Sequence, residues 1–355
     1  MKKKAVQRRS KNIQLNDTIG KGPQVLGEHK IIELMCKHYE PMPGVVIPFG
    51  DDVSALPISL QNQFVALSTD MLVAKTDVPF GMSLWQAARK AIVMNVSDFA
   101  SKGISPTAAL VALGLPRNLR NHDIIDIAKG LNSGARQYGA YIIGGDTNEA
   151  DDLIISVHLY GTTNAQAMML RKNAKPGDIL AVTGPFGKTS SGLKILLNPD
   201  KYKITDSLLR MRLLESVYMP QARLAEGLAL RDSQSASACM DSSDGLASSL
   251  HELAKQSNVG FSITNLPIAE ETKQFAKINK LSAEELSLYG GEEYELVVTI
   301  NPQLWNKAQV AVEKAGGKLY AIGKVTRAKQ IILDLPDKKV PIHSTGWEHF
   351  KTTNI

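Results

Sequence analysis

The chain of 355 residues carries only two cysteines, Cys36 and Cys239, far apart and without a CxxC pair. That scarcity excludes a disulfide framework and a cysteine-based structural zinc site, and it fits a reduced, cytoplasmic setting. No apolar run reaches the ~18 residues of a membrane span. The seven histidines show no metal-ligand spacing. Thr183-Gly184-Pro185-Phe186-Gly187-Lys188-Thr189 resembles a P-loop but fails its spacing, because the required glycine falls on Val182. Ser242 and Ser243 lack a Gly-x-Ser-x-Gly setting, which argues against a hydrolase triad.

What is present is an ordinary globular composition, 43% apolar and 21% charged, in a chain long enough for two domains. The net charge is +6, and much of it sits in Lys2, Lys3, Lys4, Arg8, Arg9 and Lys11. No apolar segment follows these residues, so they read as a solvated tail rather than a secretory signal. The remaining body is close to neutral and rich in acidic motifs, which argues against nucleic acid as a partner.

Residues 1–26 read as a basic polar extension, 27–166 as an N-terminal domain and 167–355 as a C-terminal α/β domain, the junction lying just before Arg171 to Asp178. Glu28 to Tyr39 has helical spacing. Gln63 to Leu67 reads as a strand ending at Ser68-Thr69-Asp70. Ser83 caps a helix from Leu84 to about Ser101 that stops at Gly103. A helix from Asp123 to Tyr138 leads to a short buried strand, Tyr141-Ile142-Ile143, ending at Gly144-Gly145-Asp146. Leu153 to Tyr160 is the next strand. The second half repeats the mixture: strands at Ile179 to Thr183, Ser237 to Met240, Phe261 to Ile263, Tyr294 to Ile300 and Ile331 to Leu333. Its helices run over Leu208 to Leu230, broken near Pro220, and Leu246 to Gln256. Alternating strands and helices in both halves predict two α/β domains.

Five acidic spots recur at the ends of apolar segments: Gly50-Asp51-Asp52, Ser68-Thr69-Asp70, Ser97-Asp98, Gly144-Gly145-Asp146-Thr147 and Asp241-Ser242-Ser243-Asp244-Gly245. Each alone is compatible with turn or capping chemistry. Asp98 is the exception, since it lies inside a helical pattern where Asp has poor propensity. Ligand crevices in α/β sheets lie beyond strand C-termini. Aspartates converging there would repel unless hard divalent cations such as Mg²⁺ neutralised them, and such ions also bridge phosphates. That chemistry is what phosphoryl transfer from ATP requires. Glycines beside the aspartates let backbone N–H groups approach phosphate, and Arg171, Lys172 and Lys175 are candidate counter-charges.

In order, these segments resemble the thiamine-monophosphate kinase family, in the superfamily that includes aminoimidazole ribonucleotide synthetase. The likeness runs from Gly27 to Phe350. Besides the acidic spots it is carried by Asn95 to Gly103, Lys175-Pro176-Gly177-Asp178, Gly290-Gly291-Glu292-Glu293-Tyr294-Glu295-Leu296 and Gly346-Trp347. The resemblance implies a two-domain aminoimidazole ribonucleotide synthetase-like fold, α/β with mixed α+β sheets, whose N-terminal sheets pair in a homodimer. It implies ATP-dependent phosphorylation of thiamine monophosphate to thiamine diphosphate, with no covalent catalytic residue. Asp52, Ser68, Thr69, Asp70, Asp98, Asp146, Asp241 and Asp244 would hold several Mg²⁺ ions. Gly145, Asp146, Arg171 and Ser243 would contact ATP, and Glu292 and Trp347 would contact thiamine monophosphate. Asp77 stands where the family has a substrate-contacting histidine, and Glu293 replaces an aspartate. Related readings keep the ATP site with another acceptor, an amidine or selenide, or make the chain a nucleotide-binding regulator.

Overall fold

The computed structural model describes residues 47, 51–57, 63–164 and 168–346. The expected helix at Glu28 to Tyr39, the basic tail and Trp347 lie outside these residues.

The first sheet has the order β1-β2-β5-β3-β4, built from β1 (Ser54–Pro57), β2 (Gln63–Val73), β3 (Pro106–Leu115), β4 (Tyr141–Glu149) and β5 (Ile154–Asn164). β2 and β5 pair antiparallel along their whole length, Gln63 opposite Asn164 and Val73 opposite Ile154. β3 and β4 are parallel, so a helix must carry the chain back between them. Two expectations need correction. β2 does not end at Ser68-Thr69-Asp70 but runs through them to Val73, because the in/out alternation continues: Ala66, Ser68 and Leu72 are buried, Leu67, Thr69 and Met71 exposed. β4 is not a short buried strand. It runs to Glu149 at the sheet edge with nearly every residue exposed. The apolar Tyr141-Ile142-Ile143 suggested burial, yet Tyr141 and Ile143 face outward.

Between these strands lie α1 (Ala74–Asp77), α2 (Leu84–Lys102) and α3 (Asn121–Gln137). α2 starts where Ser83 and Gln86 form a reciprocal capping box and stops at Gly103, whose φ of 66° no β-carbon favours. Its side chains are buried almost all round, the mark of a central helix. α3 lies against it at close range, since a β-carbon at Gly130 would sit 2.2 Å from the Trp85 carbonyl oxygen. α2 covers one face of the sheet. The other face presents Leu67, Met71, Leu110 and Tyr141, each at least 41% exposed.

The second sheet has the order β12-β11-β8-β10-β6-β9-β7. Its strands are β6 (Ile179–Val182), β7 (Ala236–Asp241), β8 (Gly260–Ile263), β9 (Leu296–Ile300), β10 (Tyr320–Thr326), β11 (Ile331–Leu335) and β12 (Lys338–Pro341). All pairings are antiparallel except β8 with β11. Its helices are α4 (Lys188–Leu197), α5 (Ser207–Tyr218), α6 (Leu224–Asp232), α7 (Leu246–Ser257), α8 (Glu270–Asn279), α9 (Ala283–Tyr289) and α10 (Trp305–Lys314). The break expected near Pro220 separates α5 from α6. Every residue of β9 is buried, because apolar clusters lie on both of its faces.

The two sheets share a core. One apolar cluster runs from Ala66, Leu72, Ile155 and Val157 through Val96 and Phe99 of α2 to Leu230, Leu296, Val298 and Ile300. α2 also packs on β7 and α6. The central helix is therefore the part that brings residues of both halves to one place.

Candidate functional site

α2 presents Asn95, Asp98 and Lys102 at spacings of three and four residues, with Ser97 and Ser101 one turn apart beside them. Asn95 fastens β2 to the helix. Its amide oxygen accepts from the Asp70 N–H at 3.0 Å and from Ser68 Oγ at 3.3 Å, while its own amide donates to the Ala91 carbonyl. β7, packed against the other side of α2, delivers Asp241, which accepts from Ser97 Oγ at 2.7 Å. Asp52 arrives from the segment before β1 and accepts from Ser101 Oγ at 2.9 Å.

Asp52, Asp98 and Asp241 consequently converge, with one carboxylate oxygen from each lying within 4.8 Å of the others. Their environments differ. Burial alone would raise the Asp52 carboxyl, but Lys102 and Arg171 outweigh it and hold the group well below the usual carboxylate range. Arg171 donates Nε to Asp52 Oδ1 at 3.0 Å and makes a second bond through its Nη2. Asp98 is pushed well above its usual range by burial, then by the charges of Asp70, Asp241 and Asp52. Asp241 is raised to about 7 by burial and by Asp52, against the lowering hydrogen bond from Ser97. Like charges forced together with too little compensation, offering only hard oxygen donors, suit a divalent cation that takes oxygen ligands. The donor set therefore fits a hard divalent cation such as Mg²⁺, which Asp98 and Asp241 would hold with Asp52 alongside.

A second constellation lies about 12 Å along the same helix, eight residues toward its N-terminus. Lys90 is fully buried, donates to the Asp77 carbonyl at 2.9 Å and pairs with the Glu292 carboxylate. Asp77 spends its own carboxylate on the Val73 N–H at 2.7 Å. Glu292 sits in an irregular loop whose backbone zips to the loop after β7. The Glu292 N–H donates to the Ser243 carbonyl, Tyr294 N–H to the Ser242 carbonyl and Ser242 N–H to the Glu295 carbonyl. Glu292 and Tyr294 take φ values of 61° and 53°, rare for residues with side chains, and strain of that kind collects at functional sites. Glu293 caps α4. Its carboxylate accepts from the Gly187 N–H at 2.7 Å and the Thr189 N–H at 3.2 Å, so the amides a P-loop would offer to phosphate are occupied. Burial raises this carboxyl to about 7.

The residues marked from sequence separate into groups. Asp52, Asp98, Asp241 and Arg171 come together, with Ser68 and Asp70 tied to them through Asn95. Ser243 and half-buried Asp244 lie in the loop from β7 to α7, against the segment carrying Glu292. Thr69 points to the face of the first sheet that no described helix covers. Asp146 lies on that face too: it pairs with Ala112, which pairs with Ser156, which pairs with Met71. Three strand spacings, roughly 14 Å, separate its strand from β2. Within one chain Asp146 stands apart from the carboxylate cluster. Gly145 beside it has a packing reason, since a β-carbon there would lie 1.9 Å from the Val111 carbonyl oxygen. Sequence reasoning missed Lys90, and it gave no role to Asn95, Ser97, Ser101 or Lys102. A lysine in a last helical turn reads as a dipole partner, and burial is what gives Lys102 another meaning.

Residues 50–163 match the family described as AIR synthase related protein, N-terminal domain, and residues 175–335 match its C-terminal domain. The thiamine-monophosphate kinase of Nitrosopumilus maritimus is 36% identical over 290 residues, covering 82% of this chain and 90% of that protein. That of Pyrococcus horikoshii is 35% identical over 304 residues, covering 85% and 91%. The solved structure of AaThiL complexed with AMPPCP and TMP superposes with a TM-score of 0.80 at 27% identity, covering 94% of this chain and all of that one. Both domains in order, the mixed sheets joined by α2 and these relatives agree: the chain belongs to the thiamine-monophosphate kinase family, within the AIR synthase related proteins.

Proposed function

We propose that this chain transfers the γ-phosphoryl group of ATP to thiamine monophosphate, giving thiamine diphosphate and ADP. The observation that carries the reading is the convergence of Asp52, Asp98 and Asp241, three carboxylates from three separate segments, in a member of this family. Mg²⁺ held there would supply neutralisation of the phosphate charge that develops in the transfer. Asp98 and Asp241 would hold the ions, Ser97 aims Asp241, and Asn95 keeps Ser68 and Asp70 against the helix. Arg171 stays on Asp52 and extends the positive potential toward the nucleotide phosphates. Lys90 fixes the Glu292 carboxylate at the other end of α2, where it accepts from the acceptor substrate. The distance between the two constellations separates the nucleotide end from the acceptor end. No side chain forms a covalent intermediate; the acceptor phosphate attacks in line. Cys239 is fully buried with its thiol pushed up by burial, so it offers no thiolate for selenide chemistry.

The same reading makes the chain a homodimer through the uncovered face of the first sheet, where Leu67, Met71, Leu110 and Tyr141 gather. Thr69 and Asp146 lie on that face, so their part in the site runs through the second copy. We keep the domain junction near residue 166, between β5 and β6, and a cytoplasmic setting. Among the described residues no helix is long and apolar enough to cross a membrane. A coupled ADP-release assay tests the function: thiamine monophosphate stimulates ADP release at least tenfold over thiamine or no acceptor. Equal rates with all three would overturn it.

A further inference from the structure

Lys102 closes α2 with its ammonium group completely buried. An unpaired buried ammonium is among the most costly groups a protein can hold, so its partners matter. It has one for each of its three protons: Asp51 Oδ1 at 2.6 Å, Asp52 Oδ2, and the Cys239 carbonyl at 2.9 Å. Asp52 is saturated in turn. Its Oδ1 takes two bonds from Arg171, and its Oδ2 takes Lys102 and Ser101. Asp51 is held as well, by the Asp52 and Arg171 backbone N–H groups. Among the described residues, neither Asp98 nor Asp241 forms an ion pair. The cluster therefore divides in two. Asp51 and Asp52 are ion-paired to cationic side chains, whereas among the described residues Asp98 and Asp241 feel, of the cations, only the charge of Arg171, without a close pair.

We propose that Lys102 is a resident cation of this site, doing permanently for Asp51 and Asp52 what a divalent ion would otherwise have to do. Asp52 is then a fixed wall of the site rather than an ion ligand, and the exchangeable ions belong to Asp98 and Asp241. The inference rests on the cluster being the cation site of the proposed kinase. Among the described residues Asp51, Asp52, Asp98 and Asp241 face Lys102 and Arg171, with the charge of Asp70 also bearing on Asp98 and Asp241, and replacing Lys102 by a neutral residue leaves Arg171 alone against them. A mobile ion must then enter before the cluster can pack. Lys102 belongs to the chain, so its neutralisation costs no ion-binding equilibrium and does not vary with the free metal concentration.

The test compares the thermal midpoints of the full-length chain and its Lys102→Met variant in chelator and in millimolar Mg²⁺, without substrates. Wild type should change little. The variant should drop by about 10 °C in chelator, the scale of a buried charge left without its partner, and should regain at least half of that in Mg²⁺. Titration of both chains with Mn²⁺ in the presence of AMPPCP should count one more bound ion in the variant. Equal losses with and without Mg²⁺, or no extra ion, would overturn the inference while leaving the kinase reading standing. No ion bound by wild type with AMPPCP would overturn both. If Lys102→Met does not fold in either buffer, Asp51→Asn in the same chain decides. Recovery of the midpoint supports relief of carboxylate repulsion as the role of Lys102; no recovery rejects it.

Discussion

Asp98 was the residue whose sequence setting asked for an explanation, being an aspartate inside a helix. The fold answers it: Asp98 is turned toward Asp52 and Asp241, against the electrostatic preference of Asp98 and Asp241. Sites of this kind trade stability for function. Asp241→Asn should lower kcat by about 10²-fold or more, the scale of a lost electrostatic partner in transfer chemistry. The same substitution relieves repulsion and should leave the metal-free thermal midpoint unchanged or higher. Unaltered turnover at saturating Mg²⁺ would remove Asp241 from the machinery. Glu293 gives a second residue-scale prediction. Burial pushes its carboxyl from the ordinary value of 4.5 up to about 7 in the folded chain. Between those values the folded state holds the extra proton, so stability is greatest at the acid end and falls as pH rises, by up to about 3 kcal/mol in all. Glu293→Gln should flatten that part of the stability profile in chelator-treated protein. A profile unchanged by the substitution would show that Glu293 is not the titrating group.

At the scale of elements, α2 organises the molecule. Its apolar positions bind two sheets, and its polar positions at 95, 97, 98, 101 and 102 assemble the site on the same turns. This helix was legible in the sequence to within one residue, because a serine cap, a continuous helical pattern and a terminal glycine all agree. The acidic motifs were legible too, since carboxylates flanked by glycine and serine stand out from apolar runs. Strand extents were not. Ser68-Thr69-Asp70 looked like a strand end because polar residues in tandem resemble a turn, yet β2 continues because Ser68 and Asp70 are paid for by Asn95 on the inner side. Lys90 and Lys102 escaped notice for a similar reason. Lysines on a helix read as solvent-facing, and only the packing of β7 and the Glu292 loop encloses them. Asn95→Ala should cost about 1–3 kcal/mol, since it strips a half-buried N–H and a buried hydroxyl of their acceptor. Chemical denaturation checks this, and a loss below 0.5 kcal/mol (the level of an ordinary surface change) would deny Asn95 its fastening role.

At the scale of the whole molecule, among the described residues the first sheet is covered by helices on one face only, and its other face carries both large apolar side chains and Asp146. An apolar face of this extent is uncommon on a monomer. Ile143, 69% exposed on the edge strand, offers a probe: Ile143→Lys should shift the chain toward monomer in light scattering after gel filtration and lower activity in parallel. A wild-type chain that is already monomeric and fully active would contradict the pairing. In the proposed reading the two constellations on α2 divide the work, with phosphate handling at the Asp98 end and acceptor recognition at the Lys90–Glu292 end. Phosphoryl transfer between them is the central claim, and the most direct test is to follow product and co-substrate together. Incubation of the purified chain with Mg·ATP and thiamine monophosphate should form one thiamine diphosphate for each ADP released, and Asp98→Asn should abolish both. ADP release without thiamine diphosphate, or full product formation by Asp98→Asn, would contradict the account.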